Sequence, residues 1–217
     1  MDAIAFVQEL DAFKVERLAP IVEAGQTSLL GGAPGDATKM LQVALANEIS
    51  VSELAAAWMP NTPEVDVKIA FARQAGDEAE HFELVADRLV ALDFDIAGFR
   101  PPGADLLFDY LRSLSTTVER VAAGLFTLES IAYAVNENFM AFCDRRGDAE
   151  TVRIYREFIQ PDEQRHQQLG RKLLVKYTTD SMSQERARSV VGRVLEIATA
   201  ARVQAAERIG SACFPGC

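Results

Sequence analysis

The sequence predicts an all-α protein: a four-helix bundle with additional helices at its N-terminal and C-terminal ends. Apolar residues recur at helical spacing through most of the 217 residues. The 13 glycines and 8 prolines cluster in a few places, and no segment alternates as a strand would. We therefore expect one helical domain over residues 1–217, with the core bundle at about 38–178.

The helix boundaries follow from residues that start and stop helices. Thr62 and Pro63 are expected to cap and begin the third helix, and Ser181 or Ser183 to cap the last one. The glycine-rich stretch 31–37 is expected to be a linker. The predicted helices are 2–30, 38–58, 62–92, 104–146 (one long helix or two joined ones), 148–177 and 181–209.

Loop lengths predict how the central helices pair. The connections at 59–62 and 146–148 are short, so each joins two antiparallel helices as a hairpin. The longer segment 93–103 joins the two hairpins as a crossover. Within helices, Pro20 and Pro161 are expected to break or kink the chain locally.

Composition and charge exclude several classes of function. The formal net charge is −10, so the overall field repels nucleic acids and anionic membranes. No stretch is long and apolar enough for a transmembrane helix, and the acidic residues Asp2 and Glu9 do not suit a secretory signal. We expect a cytoplasmic protein that binds neither nucleic acid nor membrane.

Three cysteines, Cys143, Cys213 and Cys217, form no disulfide pattern. The last two bracket the terminal sequence CFPGC. We expect this segment to be a mobile tail with reduced thiols, and a redox-active or metal-binding tail is the alternative.

The chain contains only two histidines, and both stand in the same motif. His81 ends the sequence DEAEH and His166 ends DEQRH, so each follows a glutamate by three positions and an aspartate by four. Residues three apart on a helix face the same side, so Glu78 with His81, and Glu163 with His166, can reach one metal ion together. The matched pair predicts two metal ions bridged by carboxylates inside the bundle.

The other two helices of the bundle should each supply one further glutamate. In the second hairpin Glu163 lies about 16 residues after the turn, or roughly 24 Å of helix, so its partner should lie near position 130. Glu129 fits, whereas Glu137 would be displaced by roughly 12 Å. The apolar neighbours of Glu129 favour the same choice, because a bare buried carboxylate is costly.

The first hairpin leaves two candidates for the remaining ligand. Glu78 lies about 17 residues after the turn, while Glu48 lies about 12 residues before it and Glu53 about 7. Glu48 has the smaller mismatch and shares its helix face with apolar residues. It is therefore the predicted ligand, and Glu53 is the alternative.

The order of these residues resembles that of the ferritin-like di-iron carboxylate superfamily. The resemblance rests on Glu48, Glu78-x-x-His81, Glu129 and Glu163-x-x-His166, and it covers residues 38–178. Within the superfamily, DEQRH is similar to the DExRH motif of the oxygen-activating branch. That branch includes bacterial multicomponent monooxygenases, ribonucleotide reductase small subunits and acyl carrier protein desaturases.

The resemblance implies a ferritin-like four-helix bundle and a non-haem di-iron oxidase or oxygenase. The implied cofactor is two iron ions, with manganese or a mixed manganese–iron pair as alternatives. The implied metal ligands, through which catalysis would run, are Glu48, Glu78, His81, Glu129, Glu163 and His166. Asp77 and Asp162 would each orient a ligand histidine. The implied partners are O₂ or peroxide, a small organic substrate and an electron-donor protein.

Two other functions stay open. Rubrerythrins and manganese catalases also carry two such motifs, so a peroxide-scavenging or metal-handling protein is one alternative. A non-catalytic bundle stabilised by metal is the other. The CxxC pairs of a rubredoxin-type iron site do not occur in this sequence. The terminal helices are expected either to cover the bundle or to form the face of a homodimer.

Aromatic residues near the motifs are interpreted as packing. Tyr133, one turn after Glu129, is expected to be a core residue rather than a redox tyrosine. Trp58 is expected to pack in the core. For the phenylalanines the core is the default and the lining of a substrate cavity the alternative; they are Phe71, Phe82, Phe126 and Phe139.

Overall fold

The computed structural model describes residues 1–32, 35–100 and 105–216, and within these ranges the chain is helical without a strand. The helices are α1 (Ala3–Leu30), α2 (Ala37–Trp58), α3 (Val65–Ala91), α4 (Leu106–Ser113), α5 (Thr117–Val121), α6 (Glu129–Asp144), α7 (Ala149–Ile154), α8 (Gln160–Tyr177) and α9 (Ser181–Ile209). A short 3₁₀ helix, Ile96–Gly98, follows α3. The predicted all-α class is confirmed, and the packing is compatible with an all-α bundle.

Two π-helical segments make continuous rods out of shorter helices. Ala122–Leu128 joins α5 to α6, and Tyr155–Ile159 joins α7 to α8. The second segment lies directly before Pro161, which lacks an N–H and whose ring crowds the carbonyl four residues earlier. The wider π turn accommodates both effects, so the distortion expected at Pro161 is present. Pro20, in contrast, lies within α1 without ending it.

The helices pair as hairpins. α2 and α3 pack along each other, and the α5–α6 rod packs against the α7–α8 rod. Between the two rods the chain reverses at Gly147, whose φ is 73°, and Asp148 caps α7 by accepting from Thr151 N at 3.0 Å. α1 packs on α6, α8 and α9, and α9 also packs on Ala122–Leu128. Both terminal helices therefore cover the bundle.

Helix starts differ from the prediction in two places. Glu64, not Thr62, is the residue that precedes α3, and its side chain makes no capping hydrogen bond. The Thr62 hydroxyl donates instead to Trp58 O at 2.9 Å. Thr62 therefore closes α2 rather than opening α3. Asp180 caps α9 in place of a serine, because its carboxylate accepts from Ser183 N at 2.8 Å in a capping box.

The stretch predicted at 104–146 as one helix or two is two helical pieces. α4 ends at Ser113, and Thr116 caps α5 in a capping box with Glu119. Parts of the predicted linker (33–34) and of the predicted crossover loop (101–103) lie outside the described residues, as do residue 104 and Cys217.

Two hydrophobic clusters fill the interior. The first includes Leu54, Trp58, Phe71, Leu125, Phe126 and Leu173. The second includes Leu41, Leu45, Leu89, Phe139, Phe142 and Tyr155. On α2, on α3 and on the α7–α8 rod, the predicted metal ligands lie between residues of one cluster and residues of the other. The bundle is thus apolar at both ends, with a polar layer between.

Most of the aromatic predictions hold. Trp58, Phe71, Phe126 and Phe139 are core residues, so packing is the correct interpretation for them. Phe82 is half-buried and packs against Phe99, with 5.9 Å between ring centroids. Tyr133 is also half-buried, so it is not among the fully buried residues of the core.

The C-terminal segment is not a mobile tail where the structure describes it. Residues 213–216 are buried, and Arg202 on α9 donates to Phe214 O at 2.6 Å and to Gly216 O at 2.7 Å. Cys213 is a free, buried thiol whose Sγ donates to Gly25 O at 3.1 Å. The expectation fails because a buried arginine satisfies the segment's carbonyls, which would otherwise need water.

None of the described helices combines the length and the apolar composition that a membrane crossing requires.

Candidate metal centre

Six buried acidic and histidine side chains meet in the polar layer. They are Glu48 on α2, Glu78 and His81 on α3, Glu129 on α6, and Glu163 and His166 on α8. None of the six exposes more than 5 % of its surface. They are the six residues that the sequence predicts as metal ligands, and the structure brings all of them together. The two alternatives, Glu53 and Glu137, are exposed.

The six residues form two overlapping groups. One group is Glu48, Glu78, His81 and Glu163, and the other is Glu78, Glu129, Glu163 and His166. Within each group every residue offers one ligand atom, and these atoms lie within 4.8 Å of one another. Glu78 and Glu163 belong to both groups. The arrangement is therefore two adjoining half-sites that share two carboxylates: a first half-site completed by Glu48 and His81, and a second completed by Glu129 and His166.

Glu78 shows the shared role most directly. Its Oε2 lies 3.5 Å from His81 Nδ1, and its Oε1 lies 3.6 Å from His166 Nδ1. Each carboxylate oxygen therefore faces a different half-site. At these lengths neither contact is a hydrogen bond, and both are wide enough for an ion between the two ligand atoms.

The two motif aspartates stand behind the histidines in a crossed arrangement. His166 Nε2 lies 2.9 Å from Asp77 Oδ2, and His81 Nε2 lies 3.4 Å from Asp162 Oδ2. Each aspartate thus contacts the histidine of the other motif, on the other hairpin. Arg165 ties them together, donating to Asp77 Oδ2 at 3.0 Å and to Asp162 Oδ1 at 2.5 Å. An aspartate that accepts from Nε2 leaves Nδ1 to face the cluster.

Two glutamines that the sequence analysis did not single out also hold the second half-site. Gln74, one turn before Glu78 and 1 % exposed, donates to Glu129 Oε1. Gln167 donates to the main-chain oxygen of Glu129 at 3.0 Å. The position of Gln74, four residues before Glu78 on the same helix face, is the signal that could have identified it.

The π segment before Glu129 is stabilised by residues from other helices. Lys14 of α1 is buried, with its Nζ 3.4 Å from Phe126 O and 3.7 Å from the centre of the Phe126 ring. Gly170 of α8 lies against the main chain of Leu125, where an added Cβ would be 2.7 Å from the Leu125 carbonyl carbon. The wide turn and the close approach of α8 together set where Glu129 begins its helix.

Burial dominates the titration of the shared carboxylates. It raises the pKa of Glu78 and of Glu163 well above the usual range of a carboxyl group, and the nearby charge of Glu129 raises both further. Burial also opposes the charge on Glu129, but His166 and several hydrogen bonds outweigh it and lower the pKa of Glu129. Without metal, the shared glutamates therefore favour the protonated form more strongly than a free carboxyl group does.

The histidines gain protons for a related reason. Burial opposes their charge, but Glu129 and Asp77 outweigh it and raise the pKa of His166 to about 10. Asp162 has the largest opposing effect at His81, whose pKa lies well above its ordinary value. Metal ions would take the place of these protons, so binding of metal should release protons.

The cluster surrounds a cavity of about 10 Å³, enough for one water-sized atom. All four cluster glutamates line it, together with Asn47 and Gly216. Among the described residues, several buried ligand atoms have no hydrogen-bond partner: Glu78 Oε1, Glu163 Oε2, His81 Nδ1 and His166 Nδ1. Buried polar atoms left in this way are expensive, and a cation satisfies them together. The donor set of carboxylate oxygens and imidazole nitrogens fits iron, manganese or zinc.

Tyr155, a residue outside both motifs, lies beside the cluster. Tyr155 is 1 % exposed, and its hydroxyl has no hydrogen-bond partner among the described residues. Burial raises the pKa of Tyr155, and the charge of Glu48 raises it further, which places the phenol near the first half-site. The sequence offered no signal for Tyr155, because it lies two turns before Glu163 in a π segment.

The structure therefore contains a buried carboxylate and histidine cluster that could bind metal and is compatible with a di-iron site. No protein-family model, no curated protein and no solved structure matches this chain.

Proposed function

We propose that this protein is a ferritin-like di-metal oxidoreductase that activates O₂ and oxidises or hydroxylates a small organic substrate. The observation that carries the proposal is the pair of half-sites with two shared glutamates. A single structural ion needs only one set of ligands, whereas shared carboxylates hold two ions close together. Two bound iron ions would supply the electrons that reduce O₂.

The residues of the chain prepare the site in three ways. Asp77 accepts from His166 Nε2, and this bond fixes the tautomer whose Nδ1 can act as a ligand. Arg165 donates to Asp77 and Asp162 from the solvent side, so the carboxylates behind both histidines are held in place. The apolar clusters on either side keep bulk water from the carboxylates, which strengthens every electrostatic interaction within the layer.

A peroxide-scavenging protein of the rubrerythrin or manganese catalase kind is the second candidate. The observation that favours it is the small size of the cavity, about 10 Å³, which leaves no room for an organic substrate beside the carboxylates. A non-catalytic bundle that uses metal as a clip is the third. The three candidates differ in what they do with an oxidant, so one series of assays separates them.

The test begins with metal analysis of the purified protein, for which we expect close to two ions per chain. The protein is then loaded with Fe(II) without oxygen and mixed with O₂ or with peroxide, and the product is followed by optical and Mössbauer spectroscopy. Rapid oxidation by O₂ supports the oxidoreductase. Reaction with peroxide alone supports the scavenger, and stable Fe(II) in both cases leaves only the structural role.

A further inference from the structure

A groove of about 540 Å³ lies between α2 and α9, beside the metal cavity. Asn47 lines both the groove and the cavity. Phe214 lines the groove and Gly216 lines the cavity. Gly216 approaches Asn47 so closely that a Cβ there would be 2.7 Å from Asn47 Nδ2. A thin partition, made by Asn47 and the segment from Phe214 to Gly216, therefore separates groove from cavity.

The groove has the size and lining of a ligand site. Its volume lies within the usual range for small-molecule sites, and much of its wall is apolar. Among its apolar lining residues are Val43, Ala46, Leu107, Ala201 and Ala205. A second groove, of about 370 Å³ between α1 and α9, shares no lining residue with the metal cavity. The first groove is therefore the one with a direct relation to the cluster.

The groove is lined by positively charged side chains, although the protein as a whole is negatively charged. Lys39 and Arg208 both line it, whereas the chain as a whole carries a net charge of −10. Neither side chain forms an ion pair with another described residue. One carboxylate, Asp105, also lines the groove, but it accepts from Leu107 N and caps α4. Asp105 keeps its negative charge, but Lys39, Arg202 and Arg208 outnumber it, so the net charge of the side chains that line the groove is positive.

The positions of Lys39 and Asn47 along α2 predict how a ligand would be oriented in the groove. Lys39 lies eight positions before Asn47, which is roughly 12 Å of helix, so the cationic part and the partition stand at different ends of the α2 wall. A molecule with an acidic head and an apolar body would pair its head with Lys39 and Arg208. Its apolar end would then rest against the partition, next to the carboxylate cluster.

We infer that this groove binds the organic substrate, an elongated apolar molecule with an acidic head group, and presents its apolar end to the metal centre. The inference rests on the proposed function for its chemistry but not for its binding. Asn47 and the segment from Phe214 to Gly216 form the partition, so the apolar end would lie against one side of it and the carboxylate cluster lies on the other side.

The first test measures binding to protein stripped of metal. Decanoate is the probe, and decan-1-ol is its uncharged match, with both titrated by calorimetry. Decanoate should bind, and decan-1-ol should bind at least about tenfold more weakly because it lacks the charge that Lys39 attracts. Absence of decanoate binding, or equal affinity for the two molecules, would overturn the inference.

Two variants locate the site. K39E should weaken decanoate binding at least about tenfold, and A201W should block the groove and abolish binding. K172E, a charge reversal at an exposed lysine of α8, is the matched control and should leave binding unchanged. Because Lys39 is exposed, the K39E result is decisive even if A201W does not fold. Unchanged binding in K39E contradicts the assignment.

The last measurement relates the groove to the cluster. In protein loaded with Mn²⁺, the terminal methyl protons of decanoate should relax faster than the protons next to its carboxylate. The opposite order would overturn the orientation. If the chain binds no metal while decanoate binding still depends on Lys39, the proposed function fails and the groove remains a binding site.

Discussion

The two half-sites share Glu78 and Glu163, yet they differ in how firmly their own ligands are held. In the second half-site, His166 lies 2.9 Å from Asp77 and Glu129 accepts from Gln74. In the first, His81 lies 3.4 Å from Asp162, and Glu48 has no comparable donor within the described part of the chain. The second half-site is therefore prepared before metal arrives, and the first is looser. The difference predicts two ions of unequal affinity.

The largest expected effect comes from removing a shared ligand, which should break both half-sites at once. E78Q and E163Q should each lower the metal content from close to two ions per chain to nearly none, because both half-sites lose a carboxylate. The measurement is metal analysis after dialysis. E53Q, at an exposed glutamate of α2, is the control and should keep full content. Full content in E78Q would contradict the bridging role.

Removing one histidine should abolish metal binding at one half-site and leave the other intact. H81A and H166A should each retain about one ion, since each histidine belongs to one group only. The ion that remains in H81A occupies the better-ordered second half-site, so it should be held more tightly than the ion in H166A. Competition with a chelator measures both affinities. Equal affinities would show that the difference in hydrogen bonding has no consequence.

The stability of the metal-free protein should depend on pH through the titration of its histidines. His166 has a raised pKa of about 10 in the folded state, against an ordinary value near 6.5, so its charge stabilises the fold fully below pH 6.5. This stability is lost as pH rises toward 10. The raised pKa values of Glu78 and Glu163 act in the same direction.

Thermal unfolding between pH 6 and pH 10 tests this expectation. The free energy of unfolding should fall by an amount on the order of a few kcal/mol across the range. H166Q should show a smaller fall than the unchanged protein. Bound metal should remove most of the dependence, because it replaces the protons. A metal-free protein that becomes more stable at high pH would contradict the charge assignment.

The smallest expected effect concerns the crossed aspartates. D77N should weaken the second half-site by about 10- to 100-fold, because the amide no longer favours the required tautomer of His166. D162N should weaken the first half-site less, since its contact to His81 is longer. Metal titrations of the two variants give both values. A larger loss in D162N would reverse the proposed ranking of the half-sites.

The sequence predicted the members of the cluster but not the contacts between them. Helical spacing joins Glu78 to His81, and counting residues from each turn selects Glu48 and Glu129, because regular helices convert residue number into distance. The crossed aspartates depend on how the two hairpins face each other, and spacing within one helix carries no such information. The π segment Ala122–Leu128 was missed for a related reason, since one of its carbonyls, Phe126 O, accepts from Lys14 of a distant helix.

The C-terminal segment shows a second limit of what can be predicted from the sequence. CFPGC has the composition of a mobile terminal segment. Arg202, the residue that holds it, belongs to none of the predicted motifs. Its two bonds to main-chain oxygens fix the segment over the cluster. A short segment without secondary structure can therefore be part of the interior when one buried cation satisfies its carbonyls.

The sharing of ligands between hairpins has a consequence for how the protein assembles. The first half-site takes Glu163 from the second hairpin, and the second takes Glu78 from the first, so neither hairpin alone contains a complete set. A growing chain that has folded only α2 and α3 could not retain metal tightly. Metal should enter after α8 has docked, so the time course of metal uptake during refolding would report the docking of the two hairpins rather than the formation of their helices.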